Sequence, residues 1–181
     1  MSNTNVKHRI ATSNDSTAIR ELYLSAFPPE EWESVASLAV QLLDENENPR
    51  TLSLVSTQHE SIVGHVAFSP AYMGDKEEAQ GYILSPLAVD PELQKQQIGS
   101  ALVRNGLERL AEDGVKIVFV YGDPAYYGRF GFDAELATRY LPSYELQFPF
   151  GWHAVELREG ARPKDVVRLT FCPALQQESL W

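Results

Sequence analysis

Residues 82–132 constrain the fold more tightly than any other stretch of this chain. They open on an apolar run, Tyr82-Ile-Leu-Ser-Pro-Leu-Ala-Val89, and continue into a polar segment, Asp90-Pro-Glu-Leu-Gln-Lys-Gln-Gln-Ile-Gly99. Residues 97–113 then read as a helix with Val103, Leu107 and Leu110 on its inner stripe, and Gly114 supplies a stop. A second apolar run, Lys116-Ile-Val-Phe-Val-Tyr121, and an aromatic segment, Tyr126-Tyr-Gly-Arg-Phe-Gly-Phe132, close the stretch. Strand, turn, helix and parallel strand in that order bring a helix N-terminus beside two strand ends. A helix start leaves about four N–H groups unpaired and carries roughly half a positive charge, which makes it a place to hold an anion.

The flanking segments read as a mixed α/β chain. Residues 7–12 form a short first strand, and Ser13-Asn14-Asp15 caps a helix carrying Ile19, Leu22, Tyr23 and Ala26 on one stripe. Phe27-Pro28-Pro29 ends that helix, because proline excludes its predecessor from the helical region. A second helix opens at Pro29, with Trp32, Val35, Leu38 or Ala39, and Leu42 on its apolar face, and residues 44–49 make a polar turn. Residues 51–57 and 62–68 alternate around Gln58-His-Glu-Ser61 as a hairpin. Residues 69–80, with Pro70, Gly74 and the charged cluster Asp75-Lys-Glu-Glu78, read as an exposed connection. An aromatic-rich connection over 134–153 leads to a final strand pair, 153–158 and 165–172, around Gly160.

Composition excludes several classes of function. With 181 residues the chain suffices for one domain with a sizeable core, and no repeat or linker divides it. The net charge of −10 argues against a nucleic-acid-binding face, and suits either a cationic substrate such as an amine or plain solubility. No apolar run approaches the roughly 20 residues of a membrane span, and the polar N-terminus lacks a signal-peptide core, so a cytoplasmic protein is expected. Cys172 reads as a packed thiol. His8, His59, His65 and His153 have no partners at ligand spacing, which argues against a metal site.

The chemistry concentrates in the central stretch. Gln94, Lys95, Gln96, Gln97, Ile98, Gly99, Ser100 and Ala101 run from a buried strand into a helix, with small residues where an anion would approach the backbone. Pro86 interrupts the preceding strand and cannot donate to a ladder, which leaves backbone groups free for a peptide-like ligand. A ligand with amide groups and a diphosphate fits both features.

These residues resemble a known family. Leu87-Ala-Val-Asp-Pro followed by Gln94-x-x-x-x-Gly99 is similar to motif A of the GCN5-related N-acetyltransferases, usually written Gln/Arg-x-x-Gly-x-Gly/Ala. Gly122-Asp-Pro-Ala-Tyr-Tyr-x-Arg-Phe-Gly-Phe132 resembles the block that follows it, and the combination is nearest the YhbS-like branch. The resemblance implies a mixed, mostly antiparallel central sheet splayed at a parallel strand pair, with helices on both faces. It implies one N-acetyltransferase domain over residues 1–181, with a cofactor core at 82–132 and a variable region at 134–181. Acetyl-CoA would be the donor, with the backbone of Leu87, Ala88 and Val89 on its pantetheine arm and residues 94–101 on its pyrophosphate. An amine of a small molecule or peptide would attack directly in a ternary complex, and a homodimer stays open. Tyr127, or Tyr126 if the short helix is rotated, would protonate the leaving thiolate. Glu33 is the residue singled out for binding or deprotonating the acceptor, with Glu30, Glu31, Glu77 and Glu78 as other carboxylates nearby in the pattern. A non-catalytic acyl-CoA-binding or sensor protein is the alternative.

Two departures from the family pattern stand out. Gln97 replaces the first glycine of the pyrophosphate motif, at a cost of about 1 kcal/mol if the position is left-handed. Asp123 stands where relatives often carry asparagine, and Asp123-Pro124 suits a helix cap.

Overall fold

The computed structural model describes residues 6–45, 48–74, 76 and 78–181. In chain order the elements are β1 (Lys7–Ile10), α1 (Ser16–Ala26), α2 (Trp32–Asp44), β2 (Leu52–Gln58), β3 (Ser61–Met73), β4 (Gly81–Val89) and α3 (Ile98–Glu112). There follow β5 (Ile117–Tyr121), α4 (Pro124–Tyr127), α5 (Ala134–Ala137), β6 (Tyr140–Leu141), β7 (Trp152–Glu156) and β8 (Val167–Phe171). The chain divides into two compact units, Met1–Phe68 with Pro86–Gly106, and Ser69–Ser85 with Leu107–Trp181. β3, β4 and α3 each contribute residues to both.

In the first unit β1 pairs antiparallel with β2, and β2 with β3. Gln58↔Ser61 is the last pair before the hairpin turn, so His59 and Glu60 alone make the turn, at φ 50° and 66°. Two consecutive left-handed residues match the right-handed twist of the strands they join. Neighbouring residues of β3 meet helices on opposite faces of the sheet, as strand alternation requires. Gly64 faces α3 so closely that a Cβ there would lie 2.9 Å from Ile98 and 3.0 Å from Leu102. His65 turns the other way, with Nδ1 2.8 Å from the Tyr23 hydroxyl of α1 and Nε2 2.7 Å from the Ser53 hydroxyl. Ile19, Leu22 and Tyr23 of α1 pack with Ala36 and Ala39 of α2, Val55 and Ala88 in one buried cluster.

In the second unit β4 and β5 form a parallel pair, from Tyr82↔Val118 to Leu84↔Val120. β5 also pairs antiparallel with β7, from Ile117↔Glu156 to Tyr121↔Trp152. The core here is aromatic. Phe119 stacks on Trp152 at 5.5 Å between centroids and meets the edge of Tyr140 at 4.9 Å. Strands mostly antiparallel, the parallel β4–β5 pair and flanking helices make up the fold that the resemblance implies, with a short second parallel pair between β6 and β8.

The segment Ser13-Asn14-Asp15 precedes the first helix as expected: it forms a short turn closed by a capping box of Thr12 and Asp15, and Asp15 is the N-cap of the α-helix that follows from Ser16. Three local expectations need correction. Trp32 is 39% exposed, because α2 buries Ala36, Leu38, Ala39 and Leu42. The two alanines pack in the α1 cluster and set the helix rotation that leaves Trp32 outside it. Residues 69–73 are strand rather than connection, since β8 supplies partners to Ala71, Tyr72 and Met73. The last two strands do not pair with each other: β7 lies on β5, while β8 pairs with β3 and, in parallel, with β6. Residues 46, 47, 75 and 77, which include parts of the expected 44–49 turn and Glu77, lie outside the described residues.

Candidate functional site

The cradle expected at residues 87–101 lies in the first unit. Pairing of β4 with β5 ends at Leu84, two residues before Pro86, which has no N–H to extend a ladder. Pro86 and Ala88 are buried and Leu87 and Val89 half-buried, the alternation of a strand with one open face. The Asp90 N–H donates to the Val63 carbonyl at 2.9 Å, and the Asp90 carboxylate accepts from the Glu92 N–H at 2.9 Å. These bonds fix the exit of the strand. Gln94 extends its amide to the Val89 carbonyl at 3.3 Å, while Lys95 and Gln96 are exposed.

Gln97 is left-handed, at φ 68°, and so is Lys95, at φ 63°. The condition attached to Gln97 by the motif is therefore met, and each position costs about 1 kcal/mol relative to glycine. The first helical bond of α3 runs from the Ala101 N–H to the Gln97 carbonyl at 2.9 Å. The N–H groups of Ile98, Gly99 and Ser100 therefore have no helical acceptor. These three residues are buried by the packing of α3 on β3, so the helix start is rigid and short of side chains. Its free donors and dipole suit an anionic group.

Glu33 is exposed, and the Arg20 guanidinium donates to both its carboxylate oxygens, at 2.6 and 2.8 Å. It is a paired surface carboxylate in this structure.

Tyr126 and Tyr127 lie in the second unit. The Asp123 carboxylate accepts from the Ala125 N–H at 2.9 Å and Pro124 takes the first helical position, so Asp123 caps α4 as its sequence suggests. The ring of Tyr127 lies on Gly122, where a Cβ would come within 2.5 Å of the ring, and meets Phe132 at 5.8 Å. Tyr127 is half-buried. Burial pushes its phenol above the usual value, helped by Tyr126 and Asp123, which keeps it protonated at neutral pH. Tyr126 instead packs on Phe130 at 5.6 Å and carries the Arg129 guanidinium 4.5 Å above its ring.

Sequence reasoning missed three residues of this unit that line a cavity by the end of β5: Ser85, Tyr121 and Trp181. No local pattern marks them, since they meet only through the sheet and the packing of residues 173–181. It also missed His153, which is buried with no hydrogen-bond partner for Nδ1 among the described residues. Cys172 is buried. No cluster of three or more potential metal ligands occurs among the described residues.

A mixed sheet opened at its parallel pair, with an unobstructed helix start after the opened strand, is the framework of an acyl-transferring class of proteins. A profile of the Acetyltransferase (GNAT) family matches residues 16–132, and the chain belongs to that family. It is 40% identical over 125 residues to the uncharacterized N-acetyltransferase YjhQ of Escherichia coli (strain K12), covering 68% of this chain and 67% of that one. The crystal structure of the GNAT family N-acetyltransferase YhbS from Escherichia coli in complex with CoA is similar at a TM-score of 0.83 and 27% identity. That likeness covers 98% of this chain and 95% of YhbS. A GNAT family acetyltransferase from Brucella melitensis, in complex with acetyl-CoA, is similar at a TM-score of 0.67 and 29% identity, over 91% of this chain and 96% of its own.

Proposed function

We propose that the protein is an N-acetyltransferase that moves an acetyl group from acetyl-CoA directly to an amine of a small molecule or peptide. The observation that carries this reading is the start of α3, where three backbone N–H groups stand without helical acceptors immediately after the opened end of β4. The half-buried backbone at Leu87 and Val89 suits an amide-bearing arm, and the N–H groups of Ile98, Gly99 and Ser100 suit a pyrophosphate. Acetyl-CoA, when bound, supplies the thioester. Residues 1–181 act as one transferase domain in this reading, with the core at 82–132.

Tyr127 holds the proton that a departing thiolate needs, because its raised phenol stays protonated where most side-chain acids have ionised. The amine attacks the carbonyl carbon as a neutral nucleophile, the carbon–sulfur bond breaks, and the amine's surplus proton passes to solvent. Glu33 serves acceptor binding or deprotonation only after its ion pair with Arg20 opens. That pairing favours a second reading, an acyl-CoA-binding protein without turnover.

Ser100→Pro tests the cradle. Proline at position 100 removes one free donor and also disfavours the helical conformation of Gly99, so the variant disturbs the first turn of α3 while the later turns keep their own bonds. The expected result is wild-type circular dichroism with CoA affinity reduced at least about tenfold by calorimetry. No CoA binding by the wild-type protein overturns the proposal, and binding without turnover on an amine panel selects the second reading.

A further inference from the structure

Beside the end of β5, the second unit holds a cavity of about 60 Å³ lined by Ile83 and Ser85 of β4, Tyr121 of β5, Leu175, Leu180 and Trp181. Ser85 and Tyr121 each stand one residue beyond the last paired couple, Leu84↔Val120, so the cavity opens where the parallel ladder stops. The residue after Tyr121 is Gly122, on which the ring of Tyr127 rests. The cavity therefore flanks the segment that carries the proposed acid.

Its walls are held from several sides. Trp181 stacks on Phe171 at 5.1 Å and on Tyr121 at 6.3 Å, meets the edge of Trp152 at 6.2 Å, and donates its indole N–H to the Leu175 carbonyl at 3.0 Å. The Tyr121 hydroxyl accepts from the Phe148 N–H at 2.8 Å. Apart from the hydroxyls of Ser85 and Tyr121 and the indole N–H of Trp181, the lining side chains are aliphatic and aromatic, and none is charged. The volume has room for roughly two to four non-hydrogen atoms. An ammonium group entering such a space loses its water, and none of the six lining residues offers a carboxylate side chain to replace it.

We propose that this cavity receives the tail of the acceptor, and that it selects short monoamines with an uncharged aliphatic tail over diamines and polyamines. The proposal rests on the N-acetyltransferase reading and narrows it. It also runs against the expectation from net charge, because the acidic surface does not extend into the cavity lining. Trp181 is a specificity-determining residue in this view: with Leu180 it closes the space into which a longer tail would extend.

The test compares propylamine with 1,3-diaminopropane, which has the same three carbons and a second ammonium group. Acetyl-CoA binding to the wild-type protein is first measured by calorimetry, and its absence sinks the N-acetyltransferase reading itself and the cavity proposal with it. Given binding, kcat/KM for propylamine should exceed that for the diamine at least about tenfold. Trp181→Ala should shift preference toward hexylamine by about tenfold or more. Because that variant loses three ring contacts and could fail to fold, Ser85→Leu fills the cavity from the opposite wall. It should raise the KM for propylamine about tenfold with acetyl-CoA affinity unchanged. Equal use of the two amines, turnover of neither by a protein that binds acetyl-CoA, or an unaltered propylamine KM in Ser85→Leu overturns the cavity proposal and leaves the cradle untouched.

Discussion

Gly122 and Tyr127 are in direct contact: a Cβ on Gly122 would stand 2.5 Å from the Tyr127 ring, well inside van der Waals distance. The glycine is required by the position of that ring, and the ring is held between it and Phe132. Gly122→Ala must therefore displace the phenol. We expect kcat to fall about tenfold or more with CoA affinity unchanged, since small misplacements of an acid are costly. Tyr127→Phe should lower kcat by about a hundredfold, measured with any accepted amine. In the wild-type protein no basic limb from Tyr127 should appear below pH 10, because its pKa is raised and the proposed role needs the acid form. A Gly122→Ala enzyme of full activity would show that the ring does not act.

Gln97 is expected to yield to glycine. Its φ of 68° favours a residue without a Cβ, and removing that strain offers about 1 kcal/mol, less the extra freedom glycine gives the unfolded chain. Gln97→Gly should raise Tm by roughly 1–3 °C and leave CoA affinity equal or higher. A lower Tm by scanning calorimetry would mean that the glutamine side chain contributes more than its backbone costs.

Stability should decline with acid from a pH near 6.5. Burial holds His65 neutral and lowers its pKa from 6.5 to about 3, with Asp15 opposing weakly. Folding thus favours the neutral ring, so its contribution is complete above pH 6.5. As pH falls from 6.5 toward 3 the unfolded chain takes the proton first, and stability drops by up to about 1.4 kcal/mol per unit. Asp15, lowered from 3.8 to about 2 chiefly by Arg9, adds a loss of the same sign only below pH 4. Denaturant midpoints from pH 7.5 to 4.5 read this directly. His65→Asn should flatten the dependence while lowering stability at pH 7.5, and a His65→Asn slope equal to wild type would remove His65 from the account.

His153 is the counterexample among the buried histidines. Its Nδ1 has no partner among the described residues, and a buried polar atom left unpaired costs about 1–3 kcal/mol. His153→Leu should therefore leave the denaturation midpoint at pH 7.5 unchanged or raised. A loss above about 2 kcal/mol would mean the imidazole makes an interaction that its surroundings do not display.

Most of residues 82–132 was legible because the signals there are local. The apolar run of β4, the polar entry to α3, the glycine after it and the Asp123-Pro124 cap each depend on residues within a few positions. The left-handed Gln97 could be stated as a condition from the motif, but its φ had to be observed. The periodicity of α2 gave the helix and not its rotation, since Trp32 and Ala36 compete for the inner face and the packing of α1 decides between them. The strand at 152–156 could be placed, though its neighbour could not. β5 lies more than 30 residues upstream of β7, and the adjacent β8 was the cheaper partner by loop closure, yet the sheet takes the more distant pairing, in which Phe119 and Trp152 stack.

Sequence alone thus settled the class of chain and the position of the helix start proposed to hold the anion, because turn chemistry, strand patterning and helix starts are properties of neighbouring residues. The cavity proposed for the acceptor tail was decided by tertiary structure. Ser85, Tyr121 and Trp181 carry no common pattern, and they share a wall only because the parallel ladder ends at Leu84 and the stacked aromatics draw residues 173–181 onto the sheet.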